Sequence, residues 1–215
     1  MNRIIGILVK PVGTIREINE EKVDLNKPFL IVFLIAFFNF ITAFFMLNEM
    51  AKVLPKEHRP FFWAGATGGV LGATLAVFLN WIIIAGIFHL LALALGGKGS
   101  FRKILEIFGW AHIPKIFSAI FVLIIIVTMF PKEVPSSIDV ESIRLLFQNS
   151  LSIKATKIIQ RIFLYWTLSL LGIGIYFNHK ISKIRTTLVI VLPVLIYTFF
   201  DVFLKDLILR YLGFP

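Results

Sequence analysis

From Phe61 to Leu95 the chain runs for 35 residues without an Asp, Glu, Lys or Arg. As a helix, a run of that length is about 50 Å long, and the hydrocarbon core of a bilayer is about 30 Å thick. It is more than one crossing needs. A short interfacial segment followed by a bend or tilt from about Gly68–Gly69 is the expectation. Composition removes the soluble alternative. The chain is 58% hydrophobic and 16% charged, where soluble domains are about 45–50% apolar and about 25% charged. A small domain cannot hide that much apolar surface in one core, so lipid is its natural solvent.

Four further apolar stretches follow the same logic: Pro28–Leu47, Ile113–Phe130, Ile162–Phe177 and Thr186–Leu204. Ile162–Phe177 is short, and is extended backwards by Ile158 and Ile159 with Arg161 snorkelling to the headgroups. The predicted fold is an all-α membrane protein, a bundle of five transmembrane helices with short interfacial amphipathic helices. Residues 1–27 form an interfacial N-terminal segment, and residues 28–212 form the five-span membrane domain. In the first segment Ile4, Ile5 and Leu8 can share one helical face, as can Ile15 and Ile18 after Pro11. That segment lacks the small-residue cleavage site of a signal peptide. Between the third and fourth spans, "IDVESIRLLF" places Val140, Ile143, Leu146 and Phe147 on one face of another interfacial helix. In the tail, Asp201–Lys205 and Asp206–Arg210 stand at the i,i+4 spacing of helix ion pairs.

The net charge of +10 is carried by lysines and arginines flanking the spans, as membrane topology demands. No basic helix interleaved with stacking aromatics lies outside the spans, so no nucleic-acid partner is expected. An odd number of spans puts the termini on opposite sides, and the basic residues divide twelve against ten. The short loop "NHKISKIR" weighs most, because short loops beside spans dominate orientation. The expected arrangement is multi-pass, N-terminus cytoplasmic and C-terminus outside.

The stretch "LALALGGKGSFRKILEIFGWAHIPK", Leu91–Lys115, invites comparison with a phosphate-gripping loop. That loop needs G-x-x-x-x-G-K-[ST] between strand and helix. Here Gly99 follows Gly97-Lys98, and Ala92 stands where the first glycine belongs. The membrane reading accounts for each residue instead. Gly96 or Gly97 ends a helix in the left-handed conformation. Lys98 meets headgroups, Ser100 caps the helix "FRKILEIF" that begins at Phe101, and Pro114 kinks or restarts it.

This arrangement resembles the Yip domain family (Ypt-interacting proteins), polytopic membrane proteins with five spans. The likeness is carried by "GGKGSFRKILEIFGWAHIP", with Gly96, Gly97, Lys98, Gly99, Ser100, Phe101 and Pro114, by "LVKPVGTIREI" before the first span, and by "WTLSLLGIGIYFNHKIS" in the fourth. The resemblance implies a five-helix fold with a cytosolic N-terminus. Eukaryotic members are linked to Rab GTPases and vesicle traffic. For prokaryotic members the resemblance implies a fold and little more.

Three sets of residues are candidate sites. Ala64, Gly68, Gly72 and Ala76 recur every four residues, a spacing that lets helix backbones approach closely. Packing inside the monomer is the expected use, and a homo-oligomer seam is the sharper alternative. Asn39, Asn80 and His89 lie at membrane depth, with Asp201 nearer a span end. Such residues are costly in lipid. Helix–helix hydrogen bonding, Asn39 with Asn80 foremost, is the expected use, and a solute or proton path the alternative. Lys98, Arg102, Lys103, Lys180, Lys183 and Arg185 should share one basic face toward anionic lipid headgroups or an acidic protein partner. His89 and His112 with a carboxylate, Glu106 the nearest, could hold a metal, but neither an H-x-x-x-H nor an H-E-x-x-H spacing is present and no metal is expected. With no cysteine and no G-x-S-x-G, neither catalysis nor a cofactor is expected. The expected function is a non-enzymatic membrane protein that organises partners or lipids; the alternative is a small-solute or ion transporter or channel.

Overall fold

The computed structural model describes residues 3–129 and 151–200. Among these, every regular element is helical. Two short helices, α1 (Arg3–Val9) and α2 (Pro11–Glu20), are separated at Lys10. Pro11 opens α2, where its missing N–H costs nothing. α3 (Asn26–Val53) follows, then a single 3-10 turn at Lys56–His58 and the long α4 (Arg59–Ala94). The Arg59 side chain donates to the carbonyls of Lys52 and Leu54, both at 3.1 Å, and so satisfies the end of α3. α5 (Phe101–Ala111), α6 (Ile113–Met129), α7 (Leu151–His179) and α8 (Lys183–Phe199) complete the order.

Among the described residues, four stretches are long and apolar enough to cross a membrane: Asn26–Lys52, Lys56–Ala94, Phe101–Met129 and Ile153–His179. α8 covers the described part of the expected fifth span, Thr186–Leu204, and is not among those four; the last residues of that stretch, Asp201 included, lie outside the described part. The interfacial helix expected at "IDVESIRLLF" and the ion pairs of the tail lie outside it too. α4 is one continuous helix of 36 residues, with no break at Gly68–Gly69.

The core gathers at one end of the bundle, around α5. Every residue from Lys103 to Ala111 is buried. The Trp81 indole donates to the Leu105 carbonyl at 3.1 Å, and Phe88 meets Phe108 edge-on at 6.4 Å. Gly174 of α7 is where Ile107 seats, with no room for a Cβ, and Gly109 receives Pro28 in the same way. α5 is therefore enclosed by the protein along its length from Lys103 rather than laid on the bundle's surface. α1 and α2 cover it: Ile7, Ile15 and Ile18 are at most 1% exposed and belong to the same cluster. Ile7 takes the protein-facing side of α1, and Ile4 and Ile5 of the expected apolar face are exposed.

Candidate functional site

The sequence between α4 and α5 folds as a tight turn fastened to the end of α7. Leu95 terminates α4, and Gly96 takes a φ of +88°, the left-handed conformation that glycine adopts without penalty. The Gly97 N–H then reaches back to the Ala92 carbonyl at 2.9 Å. The Lys98 N–H donates to the His179 carbonyl at 3.2 Å. Asn178 makes a two-way bridge, accepting from the Ser100 N–H at 3.4 Å and donating to the Ser100 carbonyl at 3.1 Å. A Cβ on Gly99 would stand 2.5 Å from Asn178 Nδ2. That glycine exists because two backbones meet there. Ser100 caps α5 by accepting from the Lys103 N–H. Pro114 falls in the first turn of α6, so the helix restarts there rather than kinking.

Beneath the turn sits a histidine pair. The Gly99 N–H reaches His179 Nδ1 at 3.2 Å, and His179 Nε2 lies 3.2 Å from His89 Nδ1. A backbone N–H can only donate, so neutral His179 carries its proton on Nε2 and gives it to His89 Nδ1. His179 is 1% exposed, and the Phe101 ring covers His89 at 5.7 Å between centroids. The pairing is thus a hydrogen-bonded strut between α4 and α7. His112 is elsewhere, buried, with Nδ1 2.6 Å from the Phe108 carbonyl. Glu106 is held by Lys103. The three candidate metal ligands do not converge, and among the described residues no group of three or more His, Cys, Asp or Glu could hold a metal ion.

Lys103 departs most from the expected basic face. It is 5% exposed. Its ammonium contacts Glu106 Oε2 at 2.6 Å, the Ile18 carbonyl at 2.8 Å and the Glu21 carbonyl at 2.9 Å. It therefore closes the end of α2 over α5, where a cation meets both the helix dipole and unsatisfied carbonyls. Arg3 pairs with Glu21 from outside and lies over the Trp110 ring at 5.8 Å. Lys98, Arg102, Lys180, Lys183 and Arg185 are all exposed. Arg185 also donates to the Leu95 carbonyl at 3.1 Å, capping α4. Among the described residues none of the five makes an ion pair.

The other two sets face outward. Ala64, Gly68 and Gly72 are exposed and Ala76 partly so. A Cβ at Gly65, Gly68, Gly69 or Gly72 would meet nothing within 4 Å. The expectation that this row packs inside the monomer is corrected for the described residues: the small side chains lie on the side of α4 turned away from its neighbours. Asn39 and Asn80 are exposed too, and no hydrogen bond joins them. They do not come together with His89 as a lined path.

Sequence reasoning missed His179, Asn178 and Glu106 as partners. One local signal was available, the polar pair Asn178-His179 directly after an apolar span and before Lys180. Lys180 takes a φ of +53°, a helix end usually given to glycine or asparagine.

The four apolar spans and their buried polar fastening define a multi-pass helical membrane protein. Residues 5–204 match the Yip1 domain, and the chain belongs to that family. It is also similar to an uncharacterized protein of Methanocaldococcus jannaschii, 26% identical over 117 residues, which are 54% of this chain and 83% of that protein. No solved structure matches the chain.

Proposed function

We propose that this Yip1-domain protein is a non-enzymatic organiser of the membrane around it. Its turn-bearing end gathers anionic lipid headgroups. In this reading α8 continues as a fifth span, and the turns at 96–100 and 180–182 face the cytoplasm with the N-terminus. The observation that carries it is the set of exposed cations Lys98, Arg102, Lys180 and Lys183 at one end, none in an ion pair among the described residues. Each basic residue near an anionic leaflet contributes about 1 kcal/mol, decaying within a Debye length.

The test is a triple variant, Lys98→Gln, Arg102→Gln and Lys180→Gln. Lys103 is left intact because it is buried. The reading expects weaker retention of phosphatidylglycerol through purification, and the same loss for wild type in high salt. Unchanged retention at low ionic strength would leave these charges only a role in topology. Orientation is checked separately: cysteines at Ser100 and Ser182 should label only from the cytoplasmic side.

A further inference from the structure

Beside the turn-bearing end, α2, α7 and α8 enclose a groove of about 750 Å³. This is within the range of about 300–1,000 Å³ for small-molecule sites. Its floor is apolar: Leu168, Gly172 and Ile173 from α7, and Ile190 and Val194 from α8. Its side is open, since Tyr165, Ser169, Thr187 and Val191 line it and are exposed. At one end stand two cations, Arg16 of α2 and Lys183 at the start of α8. The Arg16 guanidinium lies over the Phe177 ring at 4.9 Å, turned to α7 rather than to Glu20 one turn along its own helix. Neither Arg16 nor Lys183 makes an ion pair among the described residues.

We infer that this groove holds one anionic phospholipid, an acyl chain along α7 and α8 and its phosphate between Arg16 and Lys183. The inference rests on the reading that this end meets an anionic leaflet, and adds a discrete site to it. Dimensions and charge both select the occupant. From Lys183 to Val194 is eleven residues, about 16 Å along a helix. Half of a hydrocarbon core is about 15 Å. The groove is therefore as deep as one leaflet, apolar where the chain lies and cationic where the headgroup lies. Tyr176 and Phe177 sit at the cationic end, the level at which aromatic rings border a bilayer. Gly172 keeps the floor low: a Cβ there would touch Ile190 at 3.5 Å, and a longer side chain would fill the space.

The experiment uses the full chain in detergent and measures binding by native mass spectrometry. The probes are dioleoyl-phosphatidylglycerol, dioleoyl-phosphatidylcholine and inorganic phosphate. Ser169→Trp and, independently, Val191→Trp plug the groove from opposite walls. Both positions are exposed, and the Ser169 hydroxyl bonds only within its own helix, to Tyr165. Each plug should weaken phosphatidylglycerol binding by about tenfold or more, with the lipid-free melting temperature unchanged. Arg16→Gln with Lys183→Gln should weaken it about 25-fold, about fivefold for each charge. Phosphatidylcholine should bind less tightly than phosphatidylglycerol, and phosphate alone should not compete. Equal phosphatidylglycerol binding in wild type and both plugged variants overturns the inference. So does competition by phosphate alone, which would mean a headgroup site without a chain. A wild-type dimer that becomes monomeric in the plugged variants, with lipid binding unchanged, overturns it by assigning the groove to a second copy. The triple variant at Lys98, Arg102 and Lys180 separates the two readings. Loss there with intact binding in the plugged variants overturns the groove and keeps the surface; the reverse pattern keeps the groove and overturns the surface.

Discussion

Glycines cluster twice along α4 and its exit, and the two clusters do opposite things. Gly97 and Gly99 meet α7, and Gly96 meets Arg185 of α8: a Cβ on Gly97 would lie 2.7 Å from His179 Nδ1, and one on Gly99 would lie 2.5 Å from Asn178. Gly65, Gly68, Gly69 and Gly72 meet nothing within 4 Å. The second cluster has the regular four-residue spacing associated with close helix packing, whereas the first is irregular. Spacing shows that small residues share a face of a helix. It does not show which way that face points. The orientation of α4 is set at its other end, where Trp81, Ala85, Phe88 and Ala92 are buried against the core.

Four substitutions sharpen the contrast, the largest effect first. Lys103→Met leaves the Glu106 carboxylate buried without its partner, since the two side chains are 7% and 2% exposed. Removing one member of a buried pair costs about 3–5 kcal/mol, read as a lower unfolding midpoint in detergent. Adding Glu106→Leu should restore much of that loss, because a well-packed apolar pair replaces a buried ionic one at little cost. Should the double variant be as unstable as the single, Lys103 matters for the carbonyls of Ile18 and Glu21 more than for Glu106.

Gly99→Ala should cost about 1–3 kcal/mol, the usual penalty of overpacking. Asn178→Ala in the same chain should recover part of it, because the added methyl meets the Asn178 side chain. Simple additivity of the two changes would show that the turn is not seated on α7. Ser100→Ala should cost about 1 kcal/mol by removing the α5 cap, whereas Ser100→Asp should retain stability. Gly72→Leu comes last. The outward row expects a change within about 0.5 kcal/mol and an unchanged elution volume. A clear loss of stability would mean that something packs against that side of α4.

Much of the fold was legible because it depends on neighbours in sequence. Long apolar runs mark the spans, and Gly96, Ser100 and Pro114 obey local rules for ending, capping and restarting helices. Lys103 illustrates what local rules miss. It stands one residue from Arg102 in a motif that reads as surface charge, yet it points into the protein while Arg102 stays exposed. Glu106, three residues on, is a local hint of that direction, but the carbonyls of Ile18 and Glu21 come from more than 80 residues away. The His89–His179 pair likewise joins positions 90 apart. His89 looked like an isolated polar residue in a span because its partner belongs to another helix. Asn39 and Asn80 had the composition of a pair and lack the geometry, since both face outward.

The central claim is that the turn at 96–100 is seated on the end of α7, bringing the basic residues in and beside two connections, 96–100 and 180–182, to one end of the protein. The native chain has no cysteine, so a cysteine pair reports on it without background. Ser100→Cys with Lys180→Cys, treated in native membranes with a short bis-maleimide, should give an intramolecular cross-link in high yield. Ser100→Cys with Leu54→Cys, at the opposite end of α4, should give none. A cross-link between 100 and 54, or its failure between 100 and 180 while each single cysteine still labels, would contradict the arrangement.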